Sequence, residues 1–175
     1  MTLSMHAASA PLFSRALKNM LTWLDKAEEH AKARQFDVEN FLGLRLAPDM
    51  LPLSRQIQIA TDGAKNCVAR LAGTEPPKWA DDEATLDDLR ARLRKAIDYV
   101  ESVPASEVDG SEQREIVMPA GPDHTLRFEG QPFLTGFSIP NFYFHVSMTY
   151  ALLRQGGVEL GKMDYLGPLD LAEAS

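Results

Sequence analysis

Asn141 and His145 stand in a mostly apolar stretch near the end of the chain, PNFYFHVSMTYALLR, residues 140–154. Asn141 and His145 are four residues apart, so on a helix they lie on the same face, one turn from each other. An imidazole there can ligate a metal ion, transfer a proton or hydrogen-bond a neighbouring group. An amide supplies both a hydrogen-bond donor and an acceptor. This pair is the first candidate for chemistry in the sequence.

A second polar pair precedes it in the chain. Asp49 and Gln56 are seven residues apart, on the flank of an apolar stripe that predicts a helix. A buried polar group without a partner costs about 1–3 kcal/mol, so inward-facing groups must satisfy one another, water, a ligand or a metal. Facing helices of a bundle build metal and ligand sites from such side chains. We therefore predict a pocket in the bundle core lined by Asp49, Gln56, Asn141 and His145.

Each of these residues also has a structural role open to it. An inward histidine is commonly hydrogen-bonded to a carbonyl or a neighbouring side chain. Asp49 would cap a helix that starts there, and Gln56 would bridge two helices. The alternative to a functional pocket is therefore a non-catalytic, dimeric helical protein whose polar cluster fixes packing. Apolar residues on different sides of the last helix favour contact with the hairpin, the tail or a second subunit; they are Phe142, Phe144 and Val146.

Apolar residues spaced by three and four predict four helices that must position these side chains. The first covers residues 12–33. Pro11 is either a first-turn proline or a kink in a longer helix that begins nearer Leu3, and we favour the kinked helix. The second helix begins near Pro48 or Asp49 and ends at Gly73.

The remaining elements follow from capping and turn residues. Thr85 and Asp88 predict the start of a third helix over residues 86–103, in which the basic run RARLRK forms a solvated face. Two short β-capable runs, 115–118 and 125–128, predict a hairpin packed on the helices. The fourth helix covers 132–155 and is interrupted by Pro140. The tail after it is predicted to be extended over the surface, with its last few residues frayed.

Composition and charge narrow the function. The chain has 175 residues, 45% hydrophobic and 25% charged, which predicts one globular domain spanning 1–175. A formal charge of −7 argues against nucleic acid as a partner, and the lack of a long apolar run argues against a membrane. The N-terminus lacks signal-peptide features, and the single cysteine, Cys67, excludes an internal disulfide, so a cytoplasmic location is predicted. On an apolar helix face, Cys67 is interpreted as a small core residue.

Three segments taken together resemble a bacterial family of unknown function within the DinB/YfiT-like superfamily of metal-binding helix bundles. They are RLAPDMLPLSRQIQIATDGAK, PNFYFHVSMTYALLR and GKMDYLG, and the resemblance covers nearly the whole chain. It implies an all-α four-helix bundle with up-down-down-up topology and a small β-hairpin between the third and fourth helices. Related bundles include thiol-dependent transferases and isomerases, which makes a low-molecular-weight thiol one candidate cosubstrate.

The resemblance also implies a metal site, from which this chain departs. Metal-binding relatives carry one histidine near the start of the second helix and a pair four residues apart on the fourth. The corresponding positions here are Asp49, Asn141 and His145, so one histidine of three remains. Such an oxygen-rich set suits a hard divalent ion or none, and a degenerate site for a small polar molecule or water is favoured over a bound metal. No nucleophilic triad or phosphate-binding glycine loop is present, so no reaction is predicted.

Overall fold

Most of the chain is helical, with one two-stranded hairpin. The structure is a computed structural model that describes residues 3–119, 121 and 123–169. In chain order these residues form α1 (Ala10–Arg34), a 3₁₀ turn (Val38–Phe41), α2 (Leu53–Leu71), α3 (Leu86–Ser102), α4 (Ala105–Val108), β1 (Glu115–Pro119), β2 (Thr125–Glu129), α5 (Gly130–Pro132), a π-helical segment (Phe133–Ser138), α6 (Ile139–Gln155) and α7 (Lys162–Leu166). Within this part of the chain, no helix combines the length and the apolar character needed to cross a membrane.

The four long helices, α1, α2, α3 and α6, enclose one hydrophobic core. Helix α1 packs on α3 and α6, and α2 packs on the same two helices from the other side. The largest fully buried side chains include Trp23 and Phe13 of α1, and Phe13 meets Phe142 of α6 at a ring-centroid distance of 4.7 Å. The predicted apolar stripes are thus the faces that these helices bury.

Helix boundaries confirm the third helix and correct the first. Thr85 and Asp88 form a reciprocal capping box at the start of α3. The kinked first helix was the wrong choice, because α1 begins at Ala10 and Pro11 lies in its first turn. A proline is tolerated there because the first-turn N–H groups have no partner within the helix.

The predicted start of the second helix is also wrong. Helix α2 begins at Leu53, with Pro52 at the N-cap position in an extended conformation. Pro48 and Asp49 belong to the turn before it. Pro52 both suits a position just outside a helix and restricts the residue before it to extended backbone, which explains why the helix starts after the second proline.

A π-helical segment joins the hairpin to α6. Residues 130–155 are helical without a gap, so Pro140 does not interrupt the fourth helix, and the π segment Phe133–Ser138 comes immediately before it. A proline inside a helix cannot donate to the carbonyl four residues back and collides with it, and widening the preceding turn relieves that collision.

The hairpin has the predicted strands and packs on this segment. Ile116 of β1 pairs with Phe128 of β2 in an antiparallel register. The Phe128 ring lies 5.8 Å from that of Phe133 and 5.7 Å from that of Phe137, centroid to centroid. An isolated hairpin is only marginally stable, so these aromatic contacts hold it on the bundle.

The interpretation of RARLRK as a solvated face is wrong for two of its arginines. Arg92 is 2% exposed at its side chain and bonds Thr61 and Asp62 of α2, together with Asp81 and Glu83 of the connector before α3. Arg90 is also buried, and it bonds Asp25, Glu28 and Asp87. Spacing alone could not reveal this, because all of these acidic partners except Asp87 come from other elements.

The tail after α6 is not simply extended. Residues 162–166 form α7, which packs on α1. The indole N–H of Trp23 donates to the carbonyl of Asp164 at 2.9 Å, and Lys26 forms an ion pair with the Asp164 carboxylate. The predicted fraying of the last few residues lies outside the described part of the chain.

We predict that Arg92→Met lowers the free energy of unfolding by about 3–5 kcal/mol, because the substitution leaves the Glu83 carboxylate, 10% exposed, without its cation. Urea denaturation followed by circular dichroism measures the loss. Arg94→Met is the matched control at an exposed position of the same helix, where a change within about 0.5 kcal/mol is expected. Equal losses in the two variants would contradict a structural role for the Arg92 contacts.

Candidate functional site

The centre of the candidate site is a buried contact between α2 and α6. Nδ1 of His145 lies 2.7 Å from Oε1 of Gln56. The residues are 8% and 2% exposed, so the imidazole turns into the protein and not into bulk solvent. The structure therefore brings together one predicted residue from each of the two helices.

The hydrogen bonds around Gln56 fix which nitrogen of His145 carries the proton. Nε2 of Gln56 donates to the carbonyl of Leu51 at 3.0 Å. A carbonyl only accepts, so the NH₂ group of the amide must face Leu51 and its oxygen must face His145. That oxygen also only accepts, so Nδ1 of the imidazole must be the donor. In the neutral ring the lone pair is then on Nε2.

Burial keeps this imidazole neutral while leaving Nε2 accessible. Desolvation lowers the pKa of His145 below its ordinary value of 6.5. Among the described residues, the Ser111 hydroxyl is the single fully buried side-chain nitrogen or oxygen without a hydrogen-bond partner. His145 Nε2 has no partner in that part of the chain either, so it retains contact with solvent. A neutral, oriented nitrogen in this position can accept a proton or a hydrogen bond from a small molecule.

Asp49 lies apart from this contact. It is exposed in the turn before α2, and the N-cap position belongs to Pro52, so Asp49 does not cap the helix. The turn still reaches the site through the Leu51 carbonyl that bonds Gln56. Asp49 is therefore a surface residue and not an interior one, contrary to the prediction that α2 begins near residue 49.

Asn141 lies on the same helix as His145 but lines a separate chamber. Its side-chain nitrogen would be 3.7 Å from a Cβ added at Gly63 of α2, and it is half-buried. The chamber has a volume of about 140 Å³, and Arg70 and Ser138 also line it. Sequence reasoning missed those two residues, although Gly63 in mid-helix was a signal, because glycine there leaves space beside the helix.

The residues present do not fit the metal site that the resemblance implies. Within residues 3–119, 121 and 123–169, no group of three or more His, Cys, Asp or Glu side chains lies close enough to hold a metal ion. Protein zinc sites use three or four such donors. The imidazole of His145 is backed by a neutral amide, and the carboxylate of Asp49 is exposed. The predicted set of His145, Asp49 and Asn141 therefore does not come together as three metal ligands.

Cys67 is a core residue, as interpreted from its position. It is 1% exposed, and burial raises the pKa of its thiol to about 12. The thiol is therefore protonated at neutral pH and a poor nucleophile.

The chain resembles known proteins along most of its length. Residues 5–166 match the model of a family described as a domain of unknown function, DUF1993. The crystal structure of a DinB family member protein from Shewanella denitrificans is 37% identical, with a TM-score of 0.89 over 97% of this chain and 95% of that chain. No curated protein matches the chain.

We predict that lowering the pH from 7.5 to 5.5 destabilises this protein partly through His145. The unfolded chain takes up a proton near pH 6.5, whereas the folded imidazole, with its lowered pKa, does not, so the free energy of unfolding falls as pH falls through that value. The contribution is at most about 1.4 kcal/mol per pH unit. Urea titrations at both pH values should give a smaller loss for His145→Gln than for the parent, and equal losses would contradict the lowered pKa.

Proposed function

We propose that this chain, which belongs to the DinB-like family described as a domain of unknown function, DUF1993, binds a small polar molecule at Nε2 of His145. The observation that carries the proposal is the 2.7 Å contact from Nδ1 to Gln56, which orients the ring and leaves the Nε2 lone pair accessible. A histidine ligand or base that donates its other N–H to a neighbouring group is a recurring arrangement in functional sites.

The bound molecule would carry a hydrogen-bond donor. A neutral imidazole nitrogen accepts from an S–H, O–H or N–H group, and acts as a general base when that group is acidic enough. The ring of Phe144 lies next to the imidazole, with the ring centroids 5.2 Å apart and the planes perpendicular, and Phe144 is 51% exposed. In this proposal Phe144 supplies an apolar contact at the rim and Asp49 a negative charge.

We infer that the four long helices run up, down, down and up. Contacts between them support these directions. Phe13–Phe142 and Trp23–Tyr150 indicate that α1 and α6 are parallel. Lys18–Glu101 and Asp25–Arg90 indicate that α1 and α3 are antiparallel, and Gln56–His145 and Gly63–Asn141 indicate the same for α2 and α6. The connection between α2 and α3, residues 72–85, would then return along the length of the bundle.

The alternative is a dimeric protein in which the His145–Gln56 pair only fixes packing. The observation that favours it is the exposure of apolar side chains next to the pair, Leu51 at 44% and Phe144 at 51%. Under this alternative, light scattering should give the mass of a dimer for the parent and a lower mass for Phe144→Ser. A monomeric parent would exclude it.

The proposed site predicts that His145 reacts with a reagent that acylates imidazole nitrogen. Diethyl pyrocarbonate acylates deprotonated imidazole, and mass spectrometry measures the rate. The ratio of the rate at pH 5.5 to the rate at pH 7.5 should be larger for His145 than for N-acetylhistidine, whose ordinary pKa is about 6.5. Ligands are then sought by following the ¹⁵N resonance of His145 Nε2 with glycerol, glycine and 2-mercaptoethanol, which supply the O–H, N–H and S–H classes. One class should shift the resonance saturably.

Gln56→Leu removes the acceptor that orients the ring and should weaken that binding at least tenfold. Gln155→Leu is the matched control, since Gln155 is an exposed amide at the end of the same helix as His145. An unmodified His145 together with no shift from any class would leave the pair with a structural role and refute the proposal.

A further inference from the structure

A second site lies between α2 and the π segment, independent of His145. Its inner chamber of about 140 Å³ is bounded on one side by residues of a single face of α2. Ile59, Gly63, Asn66 and Arg70 recur there at helical spacing, so the chamber follows the helix for three turns. Asp62, which is paired with Arg92 and Lys65, and Cys67 also line it. Gly63 contributes no side chain, which keeps the middle of the chamber open.

The opposite wall is mostly apolar and comes from the π segment. Phe133 and Phe137 face the chamber, and Met118 of the hairpin closes it. The widened π turn before Pro140 displaces these rings from regular α-helical positions, and local π segments of this kind are frequent at binding sites. The interior therefore suits a hydrocarbon group more than a polar one.

The guanidinium of Arg70 lies where the chamber opens outwards. Arg70 lines both the inner chamber and an outer groove of about 320 Å³. Among the described residues it forms no hydrogen-bonded ion pair, and desolvation lowers its pKa. Glu75 lines the groove and its charge acts on Arg70, but it makes no hydrogen bond to the guanidinium. A half-buried guanidinium without a hydrogen-bonded counterion costs free energy that an incoming anion would recover.

A second arginine lies at this opening, where the carboxylates of Glu75 and Glu115 also line the groove. Arg114 lines the same groove, and its Nη1 donates to the main-chain carbonyls of Leu71 and Glu107 instead of a carboxylate. It is held against Gly73, where an added Cβ would come within 3.2 Å of Nη1. Arg114 therefore lines the same groove as Arg70, and neither guanidinium is hydrogen-bonded to a carboxylate among the described residues.

We propose that this site binds a short-chain carboxylate, with its carboxylate on Arg70 and its hydrocarbon tail in the chamber. The planar guanidinium matches a carboxylate in a two-point contact, and Arg114 adds charge from the side. A water molecule occupies about 30 Å³ of liquid, so the chamber volume corresponds to about four or five heavy atoms. The tail that fits is therefore about four carbons long.

The test uses acetate, butyrate, pentanoate and octanoate as probes on the full chain, followed by ¹H–¹⁵N NMR at millimolar concentrations. Each methylene buried in the chamber should tighten binding roughly fourfold. We expect the affinity to rise from acetate to pentanoate and to rise no further at octanoate. The amide resonances of Gly63, Arg70 and Met118 should shift. n-Butanol, which has a tail but no charge, should bind at least tenfold more weakly than butyrate.

Two variants separate binding from folding. Arg70→Gln should weaken butyrate at least tenfold, while Arg94→Gln, at an exposed arginine of α3 that lines neither cavity, should leave it unchanged. Gly63→Ala should raise the melting temperature, because alanine is the better helix former and its Cβ has only an ordinary contact. The same substitution should weaken butyrate binding several-fold, because the added methyl group occupies the chamber.

The proposal is overturned if butyrate and n-butanol shift the same resonances with equal affinity. It is equally overturned if Arg94→Gln weakens butyrate as much as Arg70→Gln does, or if Gly63→Ala stabilises the fold without weakening butyrate. None of these outcomes bears on His145, which lies outside the chamber, so the two proposals stand or fall separately.

Discussion

The need to pair buried polar side chains along α2 organises this structure. On one side of the helix, Thr61 accepts a hydrogen bond from Arg92 of α3, and Lys65 donates to the carbonyl of Pro77 in the connector before α3. On the other side, Gln56 meets His145 of α6. A polar group left unpaired in a helix bundle is costly, so these contacts determine which elements lie next to α2 and in what register. Both proposed sites lie along this same helix.

Spacing of apolar residues was sufficient to predict the helices, because burial of one face is a local property of the sequence. The stripes on α2 and α3 were recognised this way, whereas the capping pair Thr85 and Asp88 and both strands were recognised from capping residues, β-capable runs and turn residues. The start of α2 was predicted wrongly, near Pro48 or Asp49. A second proline four residues after Pro48, Pro52, immediately precedes the helix. Asp49 was placed in the interior as a direct result of that error.

The sequence could not show which side chains from distant parts of the chain pair with one another, and the missed features depend on such pairing. Arg92 looks like a surface residue until the acidic groups of the connector and α2 surround it. Asn141 and His145 are one turn apart and were expected to share one pocket, yet the open space beside Gly63 puts Asn141 in a different chamber. A helical wheel gives the direction of a side chain but not the depth of the groove that it enters. That depth depends on the π segment, for which Pro140 was the local signal, but a proline does not show whether a helix breaks or widens.

The anchoring of α7 on α1 has a consequence for how the protein is made. Trp23 emerges from the ribosome early, but the carbonyl that accepts its buried indole N–H belongs to Asp164, 141 residues later. Asn19 likewise awaits the carbonyl of Tyr165. During translation, α1 therefore carries unsatisfied groups and uncovered aromatic surface until nearly the whole chain has been synthesised, and its final docking is post-translational. A nascent chain arrested before residue 164 would expose this surface to chaperones.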